Sequence, residues 1–150
     1  MAKTAHRRRD RNQSGAAAVE FALGAPLLAL MLVGIVEIGF ATRRQMQVED
    51  AAAAGALYAS ANGWDQAGIA TAVTSAKSNA AISASPAPSQ FCGCPTAAGI
   101  TTDVCGHTCA DGAASRSYVL VSAQVTRISF LSSALALPVT LTATATTRIP

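Results

Sequence analysis

Aromatic residues are scarce in this 150-residue chain, at 5%, and so are charges, at 13%. The first scarcity excludes a core built on large rings. Hydrophobic residues nevertheless reach 51%, so the apolar weight falls on alanine and the aliphatic side chains, a balance that suits long helices and a thin core. Histidine is nearly absent too: of two, His6 sits among N-terminal arginines and leaves His107 alone. No P-loop, GxSxG or HExxH pattern occurs. The remaining catalytic reading, His107 with Cys105 or Cys109, is weakened by the further cysteines nearby, which favour bridging over nucleophilic chemistry. The chain is therefore expected not to be an enzyme and to need no cofactor. Its length allows one domain, or an anchor with a modest domain.

Charge of one sign is also missing from most of the chain. Lys3, Arg7, Arg8, Arg9 and Arg11 precede Gly15, and from Ala16 onward six basic residues face seven acidic ones. The net +3 is thus a local property of the N-terminus. A nucleic-acid footprint needs a basic face on the folded part, so no nucleic-acid partner is expected. The arginine cluster lies just ahead of a long apolar run, where basic residues keep a chain end on the cytoplasmic side.

That run is the dominant feature. Phe21 to Val36 is uncharged and almost wholly apolar, and Ala16 to Ala41 includes only Glu20 and Glu37 as charges. A helix rises 1.5 Å per residue and a bilayer core is about 30 Å thick, so about 20 residues suffice to span it. The segment is too long for a secretory signal core and lacks a small-x-small site at its end. More basic residues precede it than follow it, which predicts a cytoplasmic N-terminus and a bulk outside. Pro26 removes one backbone hydrogen bond within the span. Gly34 and Gly39 are five residues apart and do not form a GxxxG motif.

The junction Gln13-Ser14-Gly15-Ala16-Ala17-Ala18-Val19-Glu20-Phe21-Ala22 is more specific. A glycine closing a basic leader, small residues, and a glutamate five positions beyond the glycine resemble the processing site of type IV prepilins. Together with Pro26 and the run Gly34-Ile35-Val36-Glu37-Ile38-Gly39, the segment resembles the TadE-like family of tight-adherence pilus proteins. The resemblance implies cleavage between Gly15 and Ala16 by a prepilin peptidase. It also implies a subunit contact at Glu20, with the new ammonium at Ala16 as a partner for a carboxylate that is costly within a span. The alternative is that Glu20 sits solvated at headgroup depth.

Beyond the span, Thr42 to Ser60 is rich in alanine and free of proline, so the helix is expected to continue and to end at Asn62-Gly63. A second helix is expected from Trp64 to Ala81, with Ile69, Ala72, Val73, Ala76 and Ala80 on one face. The prolines of Ser83–Ser89 preclude a regular helix. Val119, Val121, Ala123 and Val125, and later Val139, Leu141, Ala143 and Ala145, recur at every second position between polar residues, which predicts paired strands. One sheet face can cover a helix while the threonines meet water. The fold class is α+β and pseudopilin-like: a long N-terminal transmembrane helix continuing as a spine, a second helix, then a small antiparallel sheet. The apolar connection with Ile128, Phe130, Leu131, Leu135 and Leu137 is expected to fold back on the sheet, the alternative being a partner patch.

Four cysteines form two clusters, Cys92-Gly93-Cys94 and Cys105-Gly106-His107-Thr108-Cys109. Outside the cytoplasm these predict disulfides between the clusters. The nested pairing, Cys92 with Cys109 and Cys94 with Cys105, would staple a hairpin and is the expectation; the crossed pairing is the other choice. Zinc bound by these thiols with His107 is the rival, but the spacing is not CxxC and no metal site is predicted.

The organisation expected is a cytoplasmic leader (1–15), a transmembrane helix (16–41), a periplasmic helical segment (42–82), a linker (83–90) and a disulfide-stapled β domain (91–150). By resemblance, the chain is a minor pilin or pseudopilin of the inner membrane. Its implied partners are a prepilin peptidase, other pilus or pseudopilin subunits, an inner-membrane assembly platform and membrane lipid. A membrane-tethered binding or adhesion module that is not processed is the alternative.

Overall fold

The computed structural model describes residues 9–76, 81–127 and 139–150. Its elements are α1 (Arg9–Asn62), α2 (Gln66–Ser75), β1 (Ser89–Thr96), β2 (Gly99–Thr102), β3 (Arg116–Arg127) and β4 (Val139–Arg148), the expected α+β order. The chain divides into two units, Met1–Phe40 and Ala41–Pro150, and α1 contributes to both.

In the first unit, α1 carries apolar side chains around its whole circumference. Phe21, Leu23, Leu27, Leu28, Leu30, Met31, Leu32, Ile35 and Ile38 are all exposed, Phe21 by 74% and Leu30 by 70%. A helix apolar on every side has no face for water, so its surroundings must themselves be apolar.

The second unit has a core of small aliphatic side chains. From α1 it takes Val48, Ala51, Ala52 and Ala59, from α2 Ile69 and Val73, and from β3 Val119, Val121, Ala123 and Val125. The α1 positions recur at the three-to-four spacing that lines one helix face. Gly55 lies on the same face, where a β-carbon would come within 2.6 Å of Val73 Cγ2 and 2.8 Å of Val121 Cγ1. The absence of a side chain at Gly55 is what lets α1 lie this close to α2 and β3.

The first helix ends where expected. Gly63 adopts φ 79°, which favours glycine, and its N–H donates to Ala59 O at 2.9 Å, satisfying an end carbonyl. The second helix is shorter than the apolar stripe predicts, running over Gln66–Ser75 in place of Trp64–Ala81. Asp65 sets its start: the extended backbone there and a hydrogen bond from Gly68 N to Oδ1 at 3.1 Å make it the N-cap. Ala80 lies outside the described residues. Tyr58 on α1 donates to Asp65 Oδ2 at 3.2 Å and so ties the two helices together.

The four strands are antiparallel in the order β2-β1-β3-β4. Strand β4 pairs with β3 through ten consecutive positions, from Arg127↔Val139 to Tyr118↔Arg148. Leu141, Ala143 and Ala145 pack on the core while Thr140, Thr142, Thr144 and Thr146 are exposed, as the period of two predicts. The proline-bearing stretch before β1 is held to the sheet: Ser83 and Gln124 exchange both backbone hydrogen bonds at 2.9 Å, and Ile82 is buried. The apolar connection with Ile128, Phe130, Leu131, Leu135 and Leu137 lies outside the described residues.

Candidate functional site: the stapled loop and the anchor helix

Strands β1 and β2 form a tight hairpin turning at Ala97-Ala98, with Thr96 opposite Gly99 and Gly93 opposite Thr102. Gly93 separates the first two cysteines for a steric reason, since a β-carbon there would lie 2.6 Å from Thr101 O. Pairing extends one step further, with Asp103 N donating to Cys92 O at 2.9 Å. The chain then coils through residues 104–115 before entering β3. Ser115 fastens this coil by donating from Oγ to Val104 O at 2.8 Å and accepting from Gly106 N at 2.9 Å. Backbone bonds from Ser115 N to His107 O and from Cys109 N to Ala113 O, both 2.7 Å, close it.

All four cysteines are in disulfides, and the pairing is crossed: Cys92 with Cys105 and Cys94 with Cys109. The nested expectation is corrected, and the hairpin register explains why. Nested bonds would need a turn midway between Cys94 and Cys105, placing those two opposite each other. The turn comes earlier, so Thr101 stands opposite Cys94 and the chain reaches Cys105 only after passing Cys92. The coil then returns Cys109 to Cys94. With both pairs bonded, no thiol is available as nucleophile or thiolate ligand.

Asp103 is the hub of the coil and was not singled out by sequence reasoning. Its Oδ1 accepts from Val104 N at 2.7 Å, and its Oδ2 lies 2.8 Å from His107 Nδ1. The backbone N–H of Val104 holds this carboxyl below its ordinary pKa; partial desolvation opposes it, and the His107 ring adds to the lowering. The signal available in sequence was an Asp four residues before a lone His, too common to interpret without the turn. Tyr58 is shifted the other way, its hydroxyl held above the ordinary value by its hydrogen bond to Asp65.

The residues expected to bear on processing lie on the other unit. Gly15, Ala16 and Glu20 lie on α1 and are exposed. They and the cysteines belong to different units. The stretch Gly15–Asn62 is long and apolar enough to cross a membrane, and its apolar window is wholly unburied. Pro26 is accommodated inside the helix, and β-carbons on Gly15, Gly24, Gly34 or Gly39 would meet no described atom within 4 Å.

Among the described residues one helix is long and apolar enough to cross a membrane, so the α+β chain has the form of a protein with a single-pass membrane anchor. Residues 15–57 match the model of the TadE-like protein family, a likeness to proteins associated with tight-adherence pili that is confined to this stretch. No curated protein and no solved structure matches the chain.

Proposed function

We propose that this protein is a minor pilin or pseudopilin that takes part in assembling a tight-adherence pilus at the inner membrane, without catalysing a reaction itself. The observation that carries the reading is the family match, which begins at Gly15, the residue closing the basic leader, and runs through the whole apolar helix. A prepilin peptidase cuts between Gly15 and Ala16 on the cytoplasmic face. Glu20 then meets the ammonium of a neighbouring subunit, where the low dielectric strengthens the attraction. The five basic residues ahead of Gly15 hold the leader inside, and the unit Ala41–Pro150 stands in the periplasm, where oxidising conditions keep its disulfides. The helix engages other pilus subunits, the assembly platform and lipid.

Deleting the gene in its own host tests the role. Surface pili are expected to fall sharply, to return with the wild-type gene, and not to return with Gly15→Leu. Full piliation without the gene contradicts the proposal. Rescue by a Gly15→Leu chain that retains its leader favours instead an unprocessed, membrane-anchored binding or adhesion module.

A further inference from the structure

We infer that the Cys94–Cys109 disulfide, once opened by a dithiol reductant, becomes a four-donor zinc site made of Cys94, Cys109, Asp103 and His107. Three of the donor atoms already converge: Cys94 Sγ, Asp103 Oδ2 and His107 Nδ1 lie within 4.8 Å of one another. This is the one such convergence of His, Cys, Asp and Glu among the described residues. The fourth, Cys109 Sγ, is bonded to Cys94 Sγ.

The spacing suits a tetrahedral ion. Zinc bonds of about 2.3 Å to sulfur and about 2.0 to 2.2 Å to oxygen or nitrogen put a sulfur and an oxygen ligand about 3.6 Å apart, and an oxygen and a nitrogen ligand about 3.3 Å apart. The observed separations are 3.6 Å from Cys94 Sγ to Asp103 Oδ2 and 2.8 Å from Asp103 Oδ2 to His107 Nδ1. Small side-chain rotations close the difference. The two sulfurs must part to about 3.8 Å, which the same tetrahedral geometry requires. The Sγ contact with Asp103 is not a hydrogen bond in the oxidised chain, since a disulfide sulfur has no proton to donate.

The chemistry balances. The dithiol gives two electrons to the Cys94–Cys109 bond and becomes its own cyclic disulfide, while its two protons pass to the two cysteine sulfurs. Zinc then displaces those two protons to solvent and binds two thiolates, the ionised Asp103 and the neutral His107 ring. Solvent reaches the site, because the His107 and Asp103 side chains are 61% and 31% exposed. The Ser115 bonds to Val104 and Gly106 keep the coil closed independently of either disulfide, so the donors stay near their places on reduction. In the oxidised protein both thiolates are missing and the site is shut. The loop is thereby a metal site whose affinity depends on redox state. The inference does not rest on the pilus role.

The test uses the full chain in detergent micelles, carrying Cys92→Ser and Cys105→Ser so that Cys94 and Cys109 alone remain. After reduction with a dithiol and anaerobic desalting, cobalt(II) is expected to bind at one ion per chain, with thiolate charge-transfer and tetrahedral bands that zinc abolishes. The oxidised form is expected to show neither. Asp103→Asn and His107→Gln are each expected to weaken zinc binding by about tenfold or more, the order found when a metal site loses a supporting group. The companion Cys94→Ser/Cys109→Ser chain, reduced in the same way so that Cys92 and Cys105 are free thiols, is expected to show no tetrahedral thiolate–cobalt bands. Reduced wild-type chain with circular dichroism as a fold control supplies the same readout if the serine variant unfolds. The inference is overturned if reduced wild-type protein shows no thiolate–cobalt band. It is equally overturned if the Asp103→Asn/His107→Gln double variant binds zinc as tightly as its parent.

Discussion

Two stretches of one helix, Phe21–Phe40 and Val48–Ala59, share an aliphatic composition and meet opposite fates. In the first, large side chains are exposed on every side; in the second, Val48, Ala51, Ala52 and Ala59 are almost fully buried. Helix propensity does not distinguish them. The difference lies in what is small and what is polar. The second stretch keeps its small residues and Gly55 on one face, against Val73 and Val121, while Glu49, Asp50 and Ser60 are exposed. The first has no polar face and bulky residues all around, so no single protein surface could satisfy it. One stretch is matched to a sheet and the other to lipid.

The largest expected effect weakens the second region while sparing the first. Replacing all four cysteines by serine removes two staples worth about 3 kcal/mol each and should sharply lower the melting temperature of the unit Ala41–Pro150, which stays folded in the cold. The chain should still remain in the membrane fraction after alkaline extraction. Thermal melts followed by near-ultraviolet dichroism, with that extraction, check both halves.

A pair of equal chemical changes sharpens the comparison. Gly55→Ala forces a methyl against Val73 and Val121 and should cost about 2 kcal/mol by overpacking. Gly34→Ala, which meets nothing within 4 Å, should leave the denaturant midpoint of the second unit unchanged. A similar loss for both would mean that the two stretches are not energetically separate. Smaller again is Asp65→Ala, which removes the N-cap of α2 and the acceptor of Tyr58, for about 1 kcal/mol in urea unfolding.

The smallest effect is one of pH. Asp103 titrates below its ordinary value, so its contribution is complete above the usual carboxyl range, near pH 4, and is lost as pH falls through the folded value. Amide exchange in the coil around Val104 and His107 should therefore quicken on acidification below about pH 4, and not in Asp103→Asn. Exchange that slows on acidification beyond its intrinsic pH dependence would reverse the sign.

Local rules made the helices and two of the strands legible. The end of α1 at Asn62-Gly63 follows from glycine chemistry, and the pairing of β3 with β4 follows from a strict period of two. The short β1–β2 hairpin did not announce itself, because Ser89–Thr102 contains a proline, Pro95, two glycines and no alternation. The cysteine pairing depends on that hairpin's register, and so was misread with it. The start of α2 at Gln66 came from Asp65, whose capping role the apolar stripe, beginning at Ile69, does not reveal. The close approach at Gly55 was hidden because the glycine reads as one more small residue in an alanine-rich run, and only the partners Val73 and Val121, distant in sequence, give it meaning.

One intact-mass measurement reads both the proposed removal of the leader and the oxidation of the loop. Protein purified without reductant from cells containing a prepilin peptidase should have the mass of residues 16–150 less four hydrogens, for a start at Ala16 and two disulfides. A species retaining Met1 through Gly15 where control prepilins are cut, or one that takes up four alkylating groups before reduction, would contradict it.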